Sequence, residues 1–319
     1  MATPPQSDKA GRWVPPAPCK GKTLDPRTAC CGAARLACVV RQAMAWELRV
    51  AAIQLCSSDD LAANLATCRR LVDLAAADGA RLVVLPECFS FLGRKEGDKL
   101  KIAEDLDASG PILGMLRELS ARHGIWLVGG GTPERIPDDP TRTYNTALVI
   151  NPTGELAAHY RKIHLFDVDI PGGPTLRESD ATAAGNTLCV VDIAGAPTGV
   201  TICYDVRFPE LYRALTKDLG AQILLVPAAF TAHTGAAHWH LLLRARAVED
   251  QCWVVAAAQW GQHNEKRASY GHSMIVDPWG QIVGEQADGD GVVIHTLDSA
   301  TVEKRRTQLP ALRHAVLWK

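Results

Sequence analysis

The sequence predicts an α/β protein built as a four-layer αββα sandwich with two pseudo-twofold halves. From Glu47 onward, apolar strand-like runs alternate with helix-like stretches, and the alternation passes twice through the same order. Within it, Tyr144-Asn145-Thr146-Ala147-Leu148-Val149-Ile150-Asn151-Pro152 parallels Tyr270-Gly271-His272-Ser273-Met274-Ile275-Val276-Asp277-Pro278, so each half closes on a similar hairpin. With helices for one face of each sheet only, the other faces must cover each other, which makes one domain rather than two.

In the first half, residues 48–55 read as a strand. Asp59 and Asp60 suit a helix start before Leu61, Leu65 and Val72, and Gly79 suits its stop. Residues 81–85 form a buried strand. Ser109 with Pro111 opens a second helix through Leu113, Leu116 and Leu119, which Gly124 ends before a strand at 125–128. Strands 144–150 and 155–162 flank Asn151-Pro152-Thr153-Gly154, where proline and glycine occupy type I turn positions. The second half follows suit: strand 198–203, helix 209–219 closed by Gly220, strand 223–226, helix 236–248, strand 252–258, then a hairpin turning at Asp277-Pro278-Trp279-Gly280. Residues 1–45 differ, being rich in proline and basic side chains and poor in acids. This segment is expected to be a disordered extension, with organellar targeting and a true start at Met44 as open alternatives; Cys30-Cys31 has no account.

Bulk properties narrow the function. Hydrophobic residues at 47%, charged residues at 22% and a formal net charge of -1 favour a small-molecule partner over nucleic acid or membrane. Ten cysteines scattered along a long chain without a signal peptide read as reduced thiols in a cytoplasmic setting. Neither CxxC spacing nor a zinc-type His/Cys cluster occurs, so no metal is expected.

Three segments carry chemistry, each an apolar or alternating stretch that ends on an ionisable residue: Leu82-Val83-Val84-Leu85-Pro86-Glu87, Tyr160-Arg161-Lys162-Ile163-His164 and Ile202-Cys203-Tyr204-Asp205. A cysteine beside apolar residues is more often inert core than nucleophile, and a free thiol is only a few per cent ionised at neutral pH, so Cys203 needs a base and a positive neighbour. Glu87 suits the first role and Lys162 the second. Spacing along the chain cannot bring the three together; only a fold can.

These segments resemble the signature of the nitrilase, or carbon-nitrogen hydrolase, superfamily: glutamate after Leu-Pro, lysine in Tyr-Arg-Lys-Ile-His-Leu-Phe, and cysteine in Ile-Cys-Tyr-Asp followed by Arg207-Phe208-Pro209-Glu210. The resemblance runs from about residue 48 to the end, and is nearest to the Nit branch through Thr234-Gly235, His238-Trp239, Arg244-Ala245-Arg246-Ala247 and Glu265-Lys266-Arg267-Ala268-Ser269-Tyr270-Gly271-His272-Ser273. It implies a four-layer subunit, a homodimer, no cofactor, and residues 46–319 as one hydrolase domain. It also implies Glu87 as base, Lys162 as oxyanion stabiliser, Cys203 as nucleophile and Glu178 as a second glutamate positioning Lys162 or substrate. Nit-branch members act as deaminated glutathione amidases, so that reaction is the expectation. An ω-amidase acting on 2-oxoglutaramate, an N-carbamoyl hydrolase, and a catalytically inactive scaffold stand as alternatives.

For the substrate, Arg207, four residues past the cysteine, suits a carboxylate clamp as well as a structural salt bridge, and Tyr204, Phe230 and Thr231 are expected at the pocket. The loop 259–269 offers His263, Lys266 and Arg267 for a second carboxylate. His164, His238, His240 and His272 are expected to serve structural hydrogen bonds, and Trp239 and Trp279 core or dimer contacts.

Overall fold

A computed structural model describes residues 45–108, 110–169 and 175–316. The extension expected at 1–45, with Cys30, Cys31 and Met44, lies outside the described residues apart from Ala45, and so does Ser109.

The first half runs β1 (Glu47–Gln54), α1 (Leu61–Ala77), β2 (Leu82–Val84), α2 (Pro111–His123), β3 (Trp126–Arg135), β4 (Thr143–Ile150) and β5 (Leu156–Arg161). Short pieces follow: β6 (Asp167–Asp169), β7 (Thr175–Arg177) and β8 (Thr182–Ala183). The second half contains β9 (Val190–Ile193), β10 (Ala196–Val200), α3 (Pro209–Arg213), β11 (Ile223–Leu225), α4 (Ala232–Asp250), β12 (Trp253–Ala256), β13 (Trp260–Asn264), β14 (Arg267–Tyr270), β15 (Ser273–Val276) and β16 (Ile282–Gln286). The chain then returns to the first half with β17 (Gly291–Asp298), and ends with α5 (Ser299–Gln308) and α6 (Ala311–His314), where Arg306 donates to Ala221 O and Gln251 O of the second half. No helix among the described residues is long and apolar enough to cross a membrane.

Two mixed sheets form, ordered β17-β1-β2-β3-β4-β5 and β16-β15-β12-β11-β10-β9. Each has three parallel strands at its centre, two antiparallel strands on one side and one on the other, and the first adds the short β8 beside β4. The halves therefore repeat, down to their turns. Asn151 Oδ1 accepts from the N–H groups of Thr153 and Glu155 at 3.0 and 2.9 Å, and Asp277 Oδ1 accepts from those of Trp279 and Gln281 at 2.9 and 2.8 Å.

Strand pleating makes the layers. Along β1, Leu48, Val50 and Ala52 join the core shared with Val200, Leu224 and Val254 of the other sheet, while Ala51 and Ile53 pack with Leu71, Val72 and Leu116 of α1 and α2. On the far side Leu243, Ala247 and the fully buried Trp239 of α4 cover the second sheet. The result is helix, sheet, sheet, helix, as expected from the sequence.

Several boundaries move, each for a local reason. The strand expected at 198–203 stops at Val200, because Cys203 turns the backbone to φ +50° and opens a 3₁₀ helix over Cys203–Arg207. The helix expected at 209–219 is α only to Arg213 and continues as a π turn to Asp218. Helix α4 extends past both ends of 236–248, since Thr231 caps it. Residues 259–269, expected as a loop, make the β13–β14 hairpin. Trp279 is 55% exposed beneath the Arg305 guanidinium, so it is not core.

Helix α2 shows how a distant acid replaces a local cap. Its N-cap is Gly110, which has no side chain to offer, and Glu104 accepts from the N–H groups of Ile112 and Leu113 at 2.7 and 2.9 Å. Glu104→Ala is expected to destabilise the protein by about 1–2 kcal/mol in urea denaturation, within the range for lost caps, with Glu104→Gln recovering part of it.

Candidate active site

The carboxyl ends of β2, β10 and β11 converge, and that convergence assembles the site. Glu87 follows β2, Lys162 follows β5 directly, and Cys203 stands three residues beyond β10. The three are nearly buried, at 4%, 2% and 7% exposure, and all line one cavity together with Glu178.

Lys162 is the hub. Its ammonium donates to Glu87 Oε1 at 2.9 Å and to Glu178 Oε2 and Oε1 at 2.8 and 3.1 Å. Burial alone would lower a lysine pKa, yet the charges of Glu178 and Glu87 push this one well above its ordinary value, so it stays an ammonium. The same contact, with the Phe166 N–H at 2.7 Å, outweighs burial at Glu178 and lowers its carboxyl to about 2. Glu87 is held from three sides: Lys162 and the Asn145 amide at Oε1, each at 2.9 Å, and the Ala229 N–H at Oε2, also at 2.9 Å.

Cys203 is the opposite case. Burial raises its thiol well above the ordinary range, and the Glu87 charge and a hydrogen bond to that carboxylate add to the rise; Lys162 offsets only part. Two carboxylates already outnumber one ammonium here, so a thiolate would add a second net negative charge in a dry site. The resting state is S–H, in the same cavity as the Glu87 carboxylate. The φ of +50° is unusual for a residue with a Cβ and is held by the Cys203 N–H donating to Pro227 O at 2.8 Å.

Two residues not expected at the site complete it. Asn145 lies in β4, where it breaks the apolar pattern; its Nδ2 also reaches Glu178 Oε1 at 3.2 Å, and its carbonyl accepts from Lys162 N–H at 2.9 Å. Asp205, fully buried, accepts from Tyr160 Oη at 2.7 Å, His164 Nδ1 at 2.7 Å and the N–H groups of His164 and Ile202 at 3.1 and 2.9 Å. One carboxylate thus ties the residues two before and two after Lys162 to the turn bearing Cys203. Behind them β3 bulges between Gly129 and Thr132. A Cβ on Gly130 would sit 2.1 Å from Leu85 O, and one on Gly131 2.7 Å from Asn145 Oδ1, so only glycines allow the Glu87 loop this close.

Tyr204, Phe230 and Thr231 line the cavity. Arg207 does not appear in that lining. Its guanidinium lies 5.0 Å from the Phe230 ring centroid, with Nη1 3.3 Å from His238 Nδ1. The arginine of the cavity is Arg267, joined by Lys95 and Lys99, the latter donating to Thr182 Oγ1 at 2.6 Å. Of the charged residues expected from 259–269, Lys266 and His263 are absent from the lining. Burial holds His263 down to about 4, and its ring bridges Ser57 O and Ser269 Oγ, each at 2.8 Å. His164, His238, His240 and His272 all make structural contacts, His164 also stacking on Phe208 at 3.6 Å.

Residues 49–307 match the family model for carbon-nitrogen hydrolases. The chain belongs to the carbon-nitrogen hydrolase family. A deaminated glutathione amidase of Mus musculus is 45% identical over 273 residues, covering 84% of each chain. Among solved structures, the Caenorhabditis elegans NitFhit protein matches with a TM-score of 0.79 at 41% identity, over 84% of this chain and 65% of that one. A Saccharomyces cerevisiae member of the nitrilase superfamily matches with a TM-score of 0.75 at 34% identity, over 86% of this chain and 96% of that one. The αββα layering is therefore that of the family.

Because Glu178 is depressed from 4.5 to about 2, its ionisation stabilises the fold fully above pH 4.5, and that contribution is lost as pH falls toward 2. Acid unfolding followed by circular dichroism should be steep over that interval for the unaltered protein. For Glu178→Gln it should be flatter, from a lower plateau at neutral pH.

Proposed function

We propose that this protein is a cysteine-dependent amidase that hydrolyses the amide of deaminated glutathione to 2-oxoglutarate and cysteinylglycine. The observation that carries the reading is the meeting of Glu87, Lys162 and Cys203 in one cavity, where a neutral thiol shares the lining with a carboxylate that is hydrogen-bonded to a buried ammonium. In this scheme Glu87 takes the thiol proton as Cys203 Sγ attacks the amide carbon. Negative charge moves to the carbonyl oxygen, where the Lys162 ammonium and the Tyr204 N–H, in the first turn of the 3₁₀ helix, stabilise it. Collapse expels the amine, which leaves with the proton held by Glu87, and a thioester remains. Water then gives its proton to Glu87 and attacks the thioester, and the acid leaves as Cys203 regains its proton. Glu178 and Asn145 act as positioning residues, holding Lys162 and Glu87 in register.

The substrate class rests on the cavity lining and on the relatives. Lys95, Lys99 and Arg267 bring positive charge to the lining, which suits an amide with carboxylates at both ends, and relatives at 41–45% identity carry the name deaminated glutathione amidase. The reading includes a homodimer in a cytoplasmic setting. Leu241, Val248 and Trp279, exposed at 67%, 49% and 55%, support a contact face along the outside of α4.

Cys203→Ala should reduce hydrolysis to background, and Glu87→Gln should lower kcat by about 10²–10⁴-fold with thermal unfolding recorded alongside. Arg267→Ala is expected to raise KM for deaminated glutathione more than for 2-oxoglutaramate, which lacks the second carboxylate. Turnover of 2-oxoglutaramate at an equal or greater kcat/KM by the unaltered enzyme would remove the tripeptide-derived substrate from the proposal, and a fully active Cys203→Ala would remove the mechanism.

A further inference from the structure

Away from the cavity, three potential ligands from three elements meet at one point. His240 on α4, His272 just before β15 and Glu285 on β16 present ring nitrogens and a carboxylate oxygen that all lie within 4.8 Å of one another. Both rings aim at the same atom: His240 Nε2 is 2.9 Å and His272 Nδ1 is 2.5 Å from Glu285 Oε1. The side chains keep 34%, 23% and 30% of their surface exposed, so solvent reaches the cluster and a fourth position stays open.

Orientation here is built in. His272 adopts φ +58°, a left-handed conformation that strains a residue with a Cβ. Its N–H donates to Ala287 O at 3.4 Å, its carbonyl accepts from Trp239 Nε1 at 2.9 Å, and Tyr270 stacks on its ring with centroids 4.3 Å apart. The strained backbone turns the imidazole toward the carboxylate, and His240 approaches the same oxygen from the helix with the two ring centroids 4.9 Å apart. A divalent ion about 2.0–2.2 Å from two imidazole nitrogens and one carboxylate oxygen needs donors about 3.4 Å apart, which small rotations of these side chains provide.

We propose that His240, His272 and Glu285 form a binding site for a first-row divalent transition metal of the Zn²⁺ class, with water completing its coordination. Two imidazoles and one carboxylate suit such an ion better than Mg²⁺ or Ca²⁺, which take oxygen ligands. The ion links α4 to the β15–β16 hairpin and is structural, since none of its ligands lines the catalytic cavity. Coordination needs neutral imidazoles, so binding releases protons and weakens in acid.

The test uses the full chain stripped with a chelator, dialysed, and titrated with ZnCl₂ by calorimetry, with thermal unfolding read in parallel and Co²⁺ as an optical probe. One ion per chain, a chelator-reversible rise in Tm and a Co²⁺ spectrum without thiolate charge-transfer bands are expected. His240→Ala and Glu285→Gln should each weaken Zn²⁺ binding by more than the roughly 10–100-fold typical of losing an outer-shell partner, with amide hydrolysis unchanged. Zn²⁺ affinity equal in both variants and the unaltered protein, thiolate bands with Co²⁺, or tighter binding of Mg²⁺ than of Zn²⁺ would each overturn the proposal. Glu285→Gln keeps the shape and much of the hydrogen bonding, so it reports on ligation even where an alanine variant loses stability.

Discussion

A single buried ammonium organises this molecule's chemistry. Lys162 faces two carboxylates within 3.1 Å, and the three side chains come from segments that only the finished fold brings together. Each acid justifies burial of the cation, and the cation justifies burial of both acids; taking one partner away leaves an uncompensated charge in a dry site. Burial first, and then the negative charge left by this arrangement, keep the neighbouring sulfur protonated. In the proposed mechanism a thiol at rest as S–H needs a base within reach, and Glu87, fixed by Asn145 and the Ala229 N–H, is assigned that role.

The rest of the fold serves this arrangement. Glu87 belongs to the first half and Ala229 to the second, so one carboxylate joins the halves at the point where their sheets face each other. Asp205 performs the same service for the turn bearing the thiol and the strand end bearing the ammonium, through four hydrogen bonds from three residues. Rigid placement matters because a displacement of about 1 Å costs much of the advantage of holding reacting groups together.

What the sequence disclosed was governed by distance along the chain. Strands such as Glu47–Gln54 and helices such as Leu61–Ala77 carry their period and caps locally, and the repeated hairpin turns spell themselves out in Asn-Pro and Asp-Pro. Glu87, Lys162, Glu178 and Cys203 were legible through resemblance, which encodes the convergence that spacing cannot. Asn145 escaped because one amide in a strand has no signature of its own, and Asp205 because its partners are up to 45 residues away. Arg207 drew notice through nearness to Cys203 in sequence, yet the turn after that cysteine swings it onto Phe230. The β13–β14 hairpin was hidden by its mixed, mostly half-buried residues, whose pairing depends on tertiary context rather than on a period of two.

The return of β17 has a consequence for how the chain reaches this state. Glu47 pairs opposite Asp298 and Gln54 opposite Gly291, so the opening strand finds its outer neighbour only when nearly all of the polypeptide exists. During synthesis β1 offers a bare row of amides and carbonyls, a template for wrong partners until residues 291–298 leave the ribosome. Closing so long a loop is slow, and it places the protein among chains of high contact order, for which chaperone protection of the nascent first half has a clear physical purpose.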